Sequence, residues 1–267
     1  MSLIELQNIQ FFYTRSIKNS SEFRLSNIFL NVTKGEFISI LGPNGSGKST
    51  LLKIITGILI PVQGSIKLKN KPFSSYTKKN IAKIIAFVPQ AAISVFPFSV
   101  YEIVAMGRTP HLNMMGFERN TDHAKISEML DLVGIYNLKD HGINEVSGGE
   151  AQRAYIARAL VQEPEILLLD EPNSHLDIKH QLSIFDLIRK LNLGNKITVI
   201  SVSHDLNLAG FYSYRIILMK NGSIFKDDRT ENILTTDNIK YVFDVDSSIE
   251  SIPGTTLKNV IIKPIQN

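Results

Sequence analysis

The chain has 267 residues, 43% hydrophobic and 20% charged, which suits one large domain with a packed core, with or without a small appendage, and excludes wholesale disorder. It has no Cys, which excludes disulfide staples, thiolate metal sites, iron–sulfur ligation and a cysteine nucleophile. Its 29 Lys and Arg against 25 Asp and Glu leave a net charge of +4, too small and too scattered to signal a nucleic-acid partner.

The start, MSLIELQNIQFFY, alternates and carries Glu5 early. It lacks the basic start, apolar block and small-residue cleavage site of a signal peptide. Residues 3–12 and 27–33 read as strands, and the polar, basic stretch 14–24 between them as a surface loop. Phe37–Leu41 (FISIL) is a continuous apolar run, the pattern of a strand buried on both faces. It runs straight into Gly42, and a helical pattern follows from Lys48. Further strands are expected at 64–68 and 84–88, the second ending at Pro89-Gln90. From Ser99 to Asn144 the character changes, and Ile126, Met129, Leu130 and Val133 at helical spacing predict a mostly helical insertion. A helix is expected over 148–162, then a buried strand (ILLL, 166–169) ending in Asp170, a helix over 179–193 and a strand over 197–202 ending near His204. Short strands and helices fill the remainder. No apolar run approaches the roughly 20 residues that span a bilayer. Strands alternating with helices predict an α/β fold with a largely parallel sheet.

Three stretches carry chemistry. Gly42-Pro43-Asn44-Gly45-Ser46-Gly47-Lys48-Ser49-Thr50 fits G-x-x-x-x-G-K-[ST] in the setting that pattern requires, a strand before and a helix after. Glycines let backbone N–H groups turn inward around phosphate oxygens, and the helix N-terminus adds partial positive charge. Lys48 then reaches the β- and γ-phosphates, and the Ser49 hydroxyl is a ligand for Mg²⁺. In ILLLDEP, a buried strand delivers Asp170 at its C-terminal edge, where ligands of open α/β sheets bind. Asp170 suits Mg²⁺, and Glu171 is placed to orient and deprotonate a water attacking the γ-phosphate. An ordinary acidic strand end is the plain alternative, and the upstream phosphate loop argues against it. Val146-Ser147-Gly148-Gly149-Glu150 opens a helix. It is a second anion nest, a Ser/Glu capping box, or both together. One triphosphate does not need two nests on one chain, so the anion reading requires the nucleotide of a second subunit.

With these stretches in this order, the chain resembles the ATP-binding cassette (ABC) family along nearly its whole length. The phosphate loop at 42–50 is followed by Gln90 at the Q-loop, the signature Ser147-Gly148-Gly149-Glu150, Asp170 and Glu171 at the Walker B strand, a D-loop Ser174-His175-Leu176-Asp177, and His204 at the H-loop. The resemblance implies a P-loop NTPase core with a mostly parallel sheet, an N-terminal antiparallel β subdomain and a helical insertion subdomain. It also implies one ABC ATPase domain over 1–267, with the helical part near 99–162 and a small C-terminal extension near 236–267. Tyr13 stands where the family places an aromatic side chain that stacks on adenine; Phe11 or Phe12 could serve instead, or all three could be core strand residues. ATP and Mg²⁺ are the implied ligands, with Ser49, Gln90 and Asp170 around the metal and His204 on the γ-phosphate. The implied assembly is a head-to-tail homodimer with each ATP between Lys48 of one copy and Ser147–Gly149 of the other, and with Asp177 bridging the copies. Integral membrane permease subunits are the implied partners, with a substrate-binding protein engaged indirectly and no nucleic acid, at the cytoplasmic face of the membrane.

Within the family, the SHLD form of the D-loop, Ile178-Lys179-His180-Gln181 and Gly107-Arg108-Thr109-Pro110-His111 resemble the ATPases of importers for iron chelates, haem and cobalamin, with some molybdate members. Val146, Glu150 and Asn173 depart from the commonest residues at their positions without removing a phosphate or metal ligand. The rival readings are a soluble ABC ATPase of translation or DNA repair, an exporter ATPase, and a nucleotide-binding scaffold that does not hydrolyse. A single P-loop without a heptad run weighs against the first, and Glu171 with His204 against the last. The six histidines lack metal-ligand spacing. Lys67, Lys69, Lys71, Lys78 and Lys79 read as a solvated basic face.

Overall fold

The computed structural model describes residues 2–13, 24–90, 96–112, 119–173, 176–255 and 257–264. The loop expected at 14–24 lies outside them except for Arg24, which begins a strand. The chain forms two compact units, one of Met1–Ser75 with Ile200–Asn267 and one of Tyr76–Val199.

The first unit opens with β1 (Ser2–Phe12), which pairs antiparallel with β2 (Arg24–Thr33). Ile28, Leu30 and Val32 are buried while Phe29 and Asn31 between them are exposed, so one face of β2 meets the core and the other meets water. Next come β3 (Phe37–Leu41), buried at every residue, and α1 (Lys48–Ile55). The strands β4 (Gln63–Leu68) and β5 (Lys71–Pro72) follow, with β4 on the free side of β1 and β5 on β4. The N-terminal β subdomain is therefore an antiparallel sheet in the order β2-β1-β4-β5.

The second unit contains α2 (Lys78–Ile84), β6 (Ile85–Val88), α3 (Val100–Ala105), α4 (Asn120–Leu132), α5 (Gly148–Leu160), β7 (Ile166–Asp170) and α6 (Ile178–Asn195). The strand β6 pairs parallel with β7. Among its described residues, the region expected to be helical holds α3, α4 and two 3₁₀ segments, with Ile126, Leu130 and Val133 buried as their spacing predicts and Met129 half-buried. The sequence reading did not include α2: none of its residues KKNIAKI is fully buried, and its start is fixed by Thr77, whose side chain accepts from the Asn80 N–H. Lys78 and Lys79 stand exposed on it; in the first unit Lys69 and Lys71 are exposed around the β4–β5 turn, while Lys67 is half-buried and pairs with Glu5 at 3.4 Å.

The chain returns to the first unit within β8 (Thr198–Val202) and continues through α7 (Leu206–Tyr212), β9 (Arg215–Lys220) and β10 (Ser223–Arg229). Helices α8 (Thr230–Ile233) and α9 (Thr236–Phe243) and the hairpin β11 (Ser247–Ser251) with β12 (Lys258–Ile262) complete it. The strand β3 runs parallel to β9, and β9 antiparallel to β10. Asn221 and Gly222, at φ 49° and 77°, form the two-residue turn between β9 and β10, a conformation Asn-Gly adopts at low cost. With antiparallel strands in one sheet and parallel pairs beside helices elsewhere, the fold is α/β.

The stretch Gly107–His111 has a structural task. The Arg108 guanidinium, 4% exposed, donates to Asp122 Oδ1 at 2.8 Å, to Glu163 Oε2 at 2.9 Å and to the Val161 carbonyl at 2.7 Å. His111 meets the Gln162 carbonyl at 2.9 Å. One buried cation thus ties the 3₁₀ segment, the start of α4 and the end of α5. The Arg119 N–H, and then Arg108, hold the Asp122 carboxyl below its ordinary range. That stabilisation is present above the ordinary Asp value of about 3.9 and is lost as pH falls through the lower folded value. Arg108→Met should destabilise the chain by about 3 kcal/mol, because it takes the cation from a buried carboxylate and leaves it only the Arg119 N–H. Denaturant unfolding at pH 7 checks this, and the loss should shrink below pH 4.

Candidate functional site

Burial of β3 forces the chain out of the sheet at Gly42, where a Cβ would lie 2.2 Å from the Met219 carbonyl oxygen and 2.8 Å from Ser46 Oγ. Only glycine fits there. The loop is then held from both sides: Ser46 N–H donates to the Pro43 carbonyl at 3.2 Å, and the Gly222 N–H of the β9–β10 turn donates to the Ser46 carbonyl at 3.2 Å. The N-cap of α1 is Gly47, so no side chain caps the helix, and its first turn has no acidic residue. An uncapped helix start of this kind offers N–H donors and partial positive charge to an anion. Lys48 is 5% exposed, and its ammonium donates to the Gly42 carbonyl at 2.8 Å and the Pro43 carbonyl at 3.0 Å, arching over the loop. Ser46 Oγ is buried with no protein partner. A buried ammonium, an uncapped helix start and an orphaned hydroxyl form a donor set that fits phosphate oxygens.

The three aromatic residues of β1's end separate by exposure. Phe11 is buried, Phe12 half-buried, and Tyr13 is 38% exposed. Tyr13 packs edge-on against Phe11 with ring centroids 4.8 Å apart, and its hydroxyl lies 3.5 Å from that of Thr50 on α1. Phe11 is thereby committed to the core, and Tyr13 presents ring surface beside the helix that follows the phosphate loop. His204 is exposed just beyond β8, where the Ser203 N–H donates to the Ile40 carbonyl at 3.2 Å.

In the second unit, register does the positioning. Parallel pairing sets Val88 of β6 against Leu169 of β7, so both chains leave the same edge side by side. Gln90 and Glu171, each two residues further on, meet there, and the Gln90 amide donates to the Glu171 carboxylate at 2.5 Å. Asp170 is 4% exposed at the strand's end. Glu171 takes φ 49°, a left-handed conformation that is uncommon and costly for a residue with a side chain. The turn directs its carboxylate toward Gln90 instead of continuing the strand.

Ser147 caps α5 in a complete capping box: its hydroxyl accepts from the Glu150 N–H, while its own N–H and hydroxyl donate to Glu150 Oε2 at 2.8 and 2.7 Å. Those bonds hold the Glu150 carboxyl below its ordinary range. Ser147 and Gly148 stay exposed, and a Cβ at Gly148 would meet nothing within 4 Å, so this helix start also faces open space. Asp177 caps α6, accepting from the His180 N–H at 2.8 Å and pairing with the His180 ring at 2.8 Å; these contacts lower its pKa. Ser174 and His175 of the expected D-loop lie outside the described residues. The sequence reading named His180 only within the Ile178–Gln181 pattern; its ring sits where a Cβ on Gly149 would be only 2.9 Å away, so it links Asp177 to the start of α5. The Asp-x-x-His spacing at a helix start was the available signal. Among the candidates, Tyr13, Lys48, Ser49 and His204 belong to the first unit and Gln90, Ser147, Asp170, Glu171 and Asp177 to the second. Among the described residues, no group of three or more His, Asp or Glu side chains is placed to hold a metal ion unaided.

A protein-family model described as ABC transporter matches residues 25–174. The chain is 39% identical over 242 residues to the ABC transporter ATP-binding protein YvrA of Bacillus subtilis, covering 90% of this chain but only 54% of that relative's length. It is 37% identical over 226 residues to the iron(3+)-hydroxamate import ATP-binding protein FhuC of the same organism, covering 85% of this chain and 84% of that one. Identity to the hemin import ATP-binding protein HmuV of Escherichia coli O157:H7 is 38% over 234 residues, covering 85% and 89%. Among solved structures, the fold is similar to a chain from an inward-facing ABC transporter described as metal-chelate type, with TM-score 0.84, 29% identity and coverage of 100% and 98%. It is also similar to the ATP-binding cassette MJ0796 in a dimeric post-hydrolysis state with ADP and Pi, with TM-score 0.74, 32% identity and coverage of 85% and 99%.

Proposed function

This chain belongs to the ABC transporter family of ATP-hydrolysing subunits, and from that premise we propose that it powers an importer for an iron chelate or haem. The whole of residues 1–267 acts as one ATPase domain, with the helical part near 99–162 and a C-terminal extension near 236–267. It works as a head-to-tail dimer on the cytoplasmic face of a membrane, bound to separate permease subunits that a substrate-binding protein loads. The dimeric MJ0796 cassette supports the pairing, and the iron-hydroxamate and hemin relatives support the cargo class. Among the described residues, no helix is long and apolar enough to cross a membrane, in keeping with a separate permease.

The observation that carries hydrolysis, beyond nucleotide binding, is Glu171 in its left-handed turn with Gln90 2.5 Å away. In the proposed reaction Lys48, the loop N–H groups and the start of α1 balance the charge of the β- and γ-phosphates, and Tyr13 stacks on the base. Glu171 holds the attacking water and takes its proton at the carboxylate. His204 donates to the γ-phosphate. Ser147 and the Gly148–Gly149 backbone of the partner copy close over that phosphate, with Asp177 across the interface. Ser49, Asp170 and Gln90 offer a hydroxyl, a carboxylate and an amide oxygen, the hard oxygen donors that suit Mg²⁺. Bound there, the metal supplies charge neutralisation of the phosphates. Gln90, touching Glu171, relays the state of the site toward the permease.

The cargo is tested by growth of a strain lacking this chain on single sources of ferric hydroxamate, haem, cobalamin or molybdate. Growth should fail on the iron source and return with the wild-type chain but not with Lys48→Ala. Failure confined to cobalamin or molybdate would move the chain to that cargo. Co-purification without any polytopic membrane protein would favour the soluble reading.

A further inference from the structure

We propose that Asn207 is a positioning residue for His204, and that through it the C-terminal hairpin β11–β12 sets the geometry of the γ-phosphate contact. The inference rests on the reading of His204 given above. Helix α7 begins two residues after His204 and is seven residues long, too short to hold its direction by its own hydrogen bonds. Its start is fixed by Asp205, whose Oδ1 accepts from the N–H groups of Asn207 and Leu208 at 2.9 Å each. Asp205 N–H in turn donates to Ser203 Oγ at 3.0 Å. His204 therefore lies between a strand end tied to Ile40 and a cap whose bearing depends on what holds α7.

Asn207 supplies that hold. Its side-chain amide donates to the Val260 carbonyl at 3.2 Å and accepts from the Val260 N–H at 2.7 Å. This two-point exchange copies a strand pairing, so β12 is joined to α7 as if to another strand. Around it, Val260, Ala209, Ile233, Leu234, Ile239 and Leu41 share one apolar cluster. Leu41 immediately precedes Gly42. The same C-terminal packing thus backs both the residue that launches the phosphate loop and the helix that follows His204, and Asn207 is a polar link from it to the His204 side.

Placement errors near 1 Å at a reacting centre cost up to about 10²-fold in rate. Asn207→Ala should therefore lower kcat for ATP about tenfold and leave KM within about twofold, since the phosphate loop is untouched. The test is a double-mutant cycle in the full-length chain with its membrane partner, using ATP as the probe: Asn207→Ala, His204→Ala and the pair, each checked for thermal unfolding and nucleotide binding. The pair should be no slower than His204→Ala alone. Val260→Ala is the comparison for lost packing, because it thins the cluster but keeps both backbone bonds, and its kcat should stay near wild type. Multiplying effects, an unchanged kcat in Asn207→Ala, or an equal kcat loss in Val260→Ala would each overturn the inference while leaving His204 in its role. A wild-type rate in His204→Ala would overturn both. Should Asn207→Ala not fold, Asn207→Asp, which keeps the acceptor for the Val260 N–H and loses the donor, should show the same non-additivity.

Discussion

Glu171→Gln should bind ATP as tightly as the wild type and hydrolyse it about 10³-fold more slowly, within the range expected for loss of a general base. An amide has the carboxylate's shape but cannot take a proton from water. The substitution also spares the surroundings, because the Gln90 amide, now 2.5 Å from a carboxylate oxygen, would find an amide oxygen in its place. The left-handed turn is a backbone property that Gln tolerates as Glu does. With binding intact and chemistry stalled, ATP-bound dimers should accumulate, visible by sizing with ATP and Mg²⁺ or by trapping labelled nucleotide in the transporter complex. A near-normal rate in this variant would remove Glu171 from the role of base. A stalled variant that stays monomeric even in the complex would remove the sandwich.

What the sequence disclosed and what it withheld divide along physical lines. Phe37–Leu41 and Ile166–Asp170 are buried at every residue, and continuous apolar runs ending in Gly or Asp are legible without a structure. The phosphate loop is legible because its chemistry needs residue types in a row. The meeting of Gln90 and Glu171 is not, because it depends on the register of β6 against β7, a relation between segments 81 residues apart. The left-handed backbone of Glu171 is likewise silent, since nothing in its residue type demands it. Helix α2 has no buried face to leave a period, so only the Thr77 cap foretells it.

The stretch Gly107–His111 teaches a different lesson. It helped to single out the importer group, yet Arg108 and His111 are spent on Asp122, Glu163 and backbone carbonyls inside one unit. A residue pattern that marks a group need not touch what the group transports. Here the Arg108 network joins the 3₁₀ segment to the start of α4 and the end of α5, a task that involves no cargo. That is why growth on defined sources, and not this pattern, decides the substrate.

Lys48→Ala should abolish measurable hydrolysis, a loss of at least about 10²-fold, because the loop loses the fixed charge at its centre. The wild-type ammonium lies on the Gly42 and Pro43 carbonyls, so removal also leaves two loop acceptors without their donor, and nucleotide affinity should fall as well. Ser147→Arg should be as inactive for a different reason: a bulky cation would fill the open helix start that is proposed to meet the opposing γ-phosphate. Its own phosphate loop is intact, so it should bind one nucleotide normally. Ser147→Ala separates the two functions of that serine. Loss of the capping box costs about 1 kcal/mol of helix stability, yet the Gly148 and Gly149 N–H groups remain, so activity should fall only modestly. Mixing the Lys48→Ala and Ser147→Arg proteins then tests the pairing itself. Head-to-tail assembly places both defects in one composite site and neither in the other, so ATPase activity should reappear in the mixture while each protein alone stays inactive. If Ser147→Arg alone cannot bind nucleotide, the two helix starts serve one site within a single chain, and the dimer reading falls.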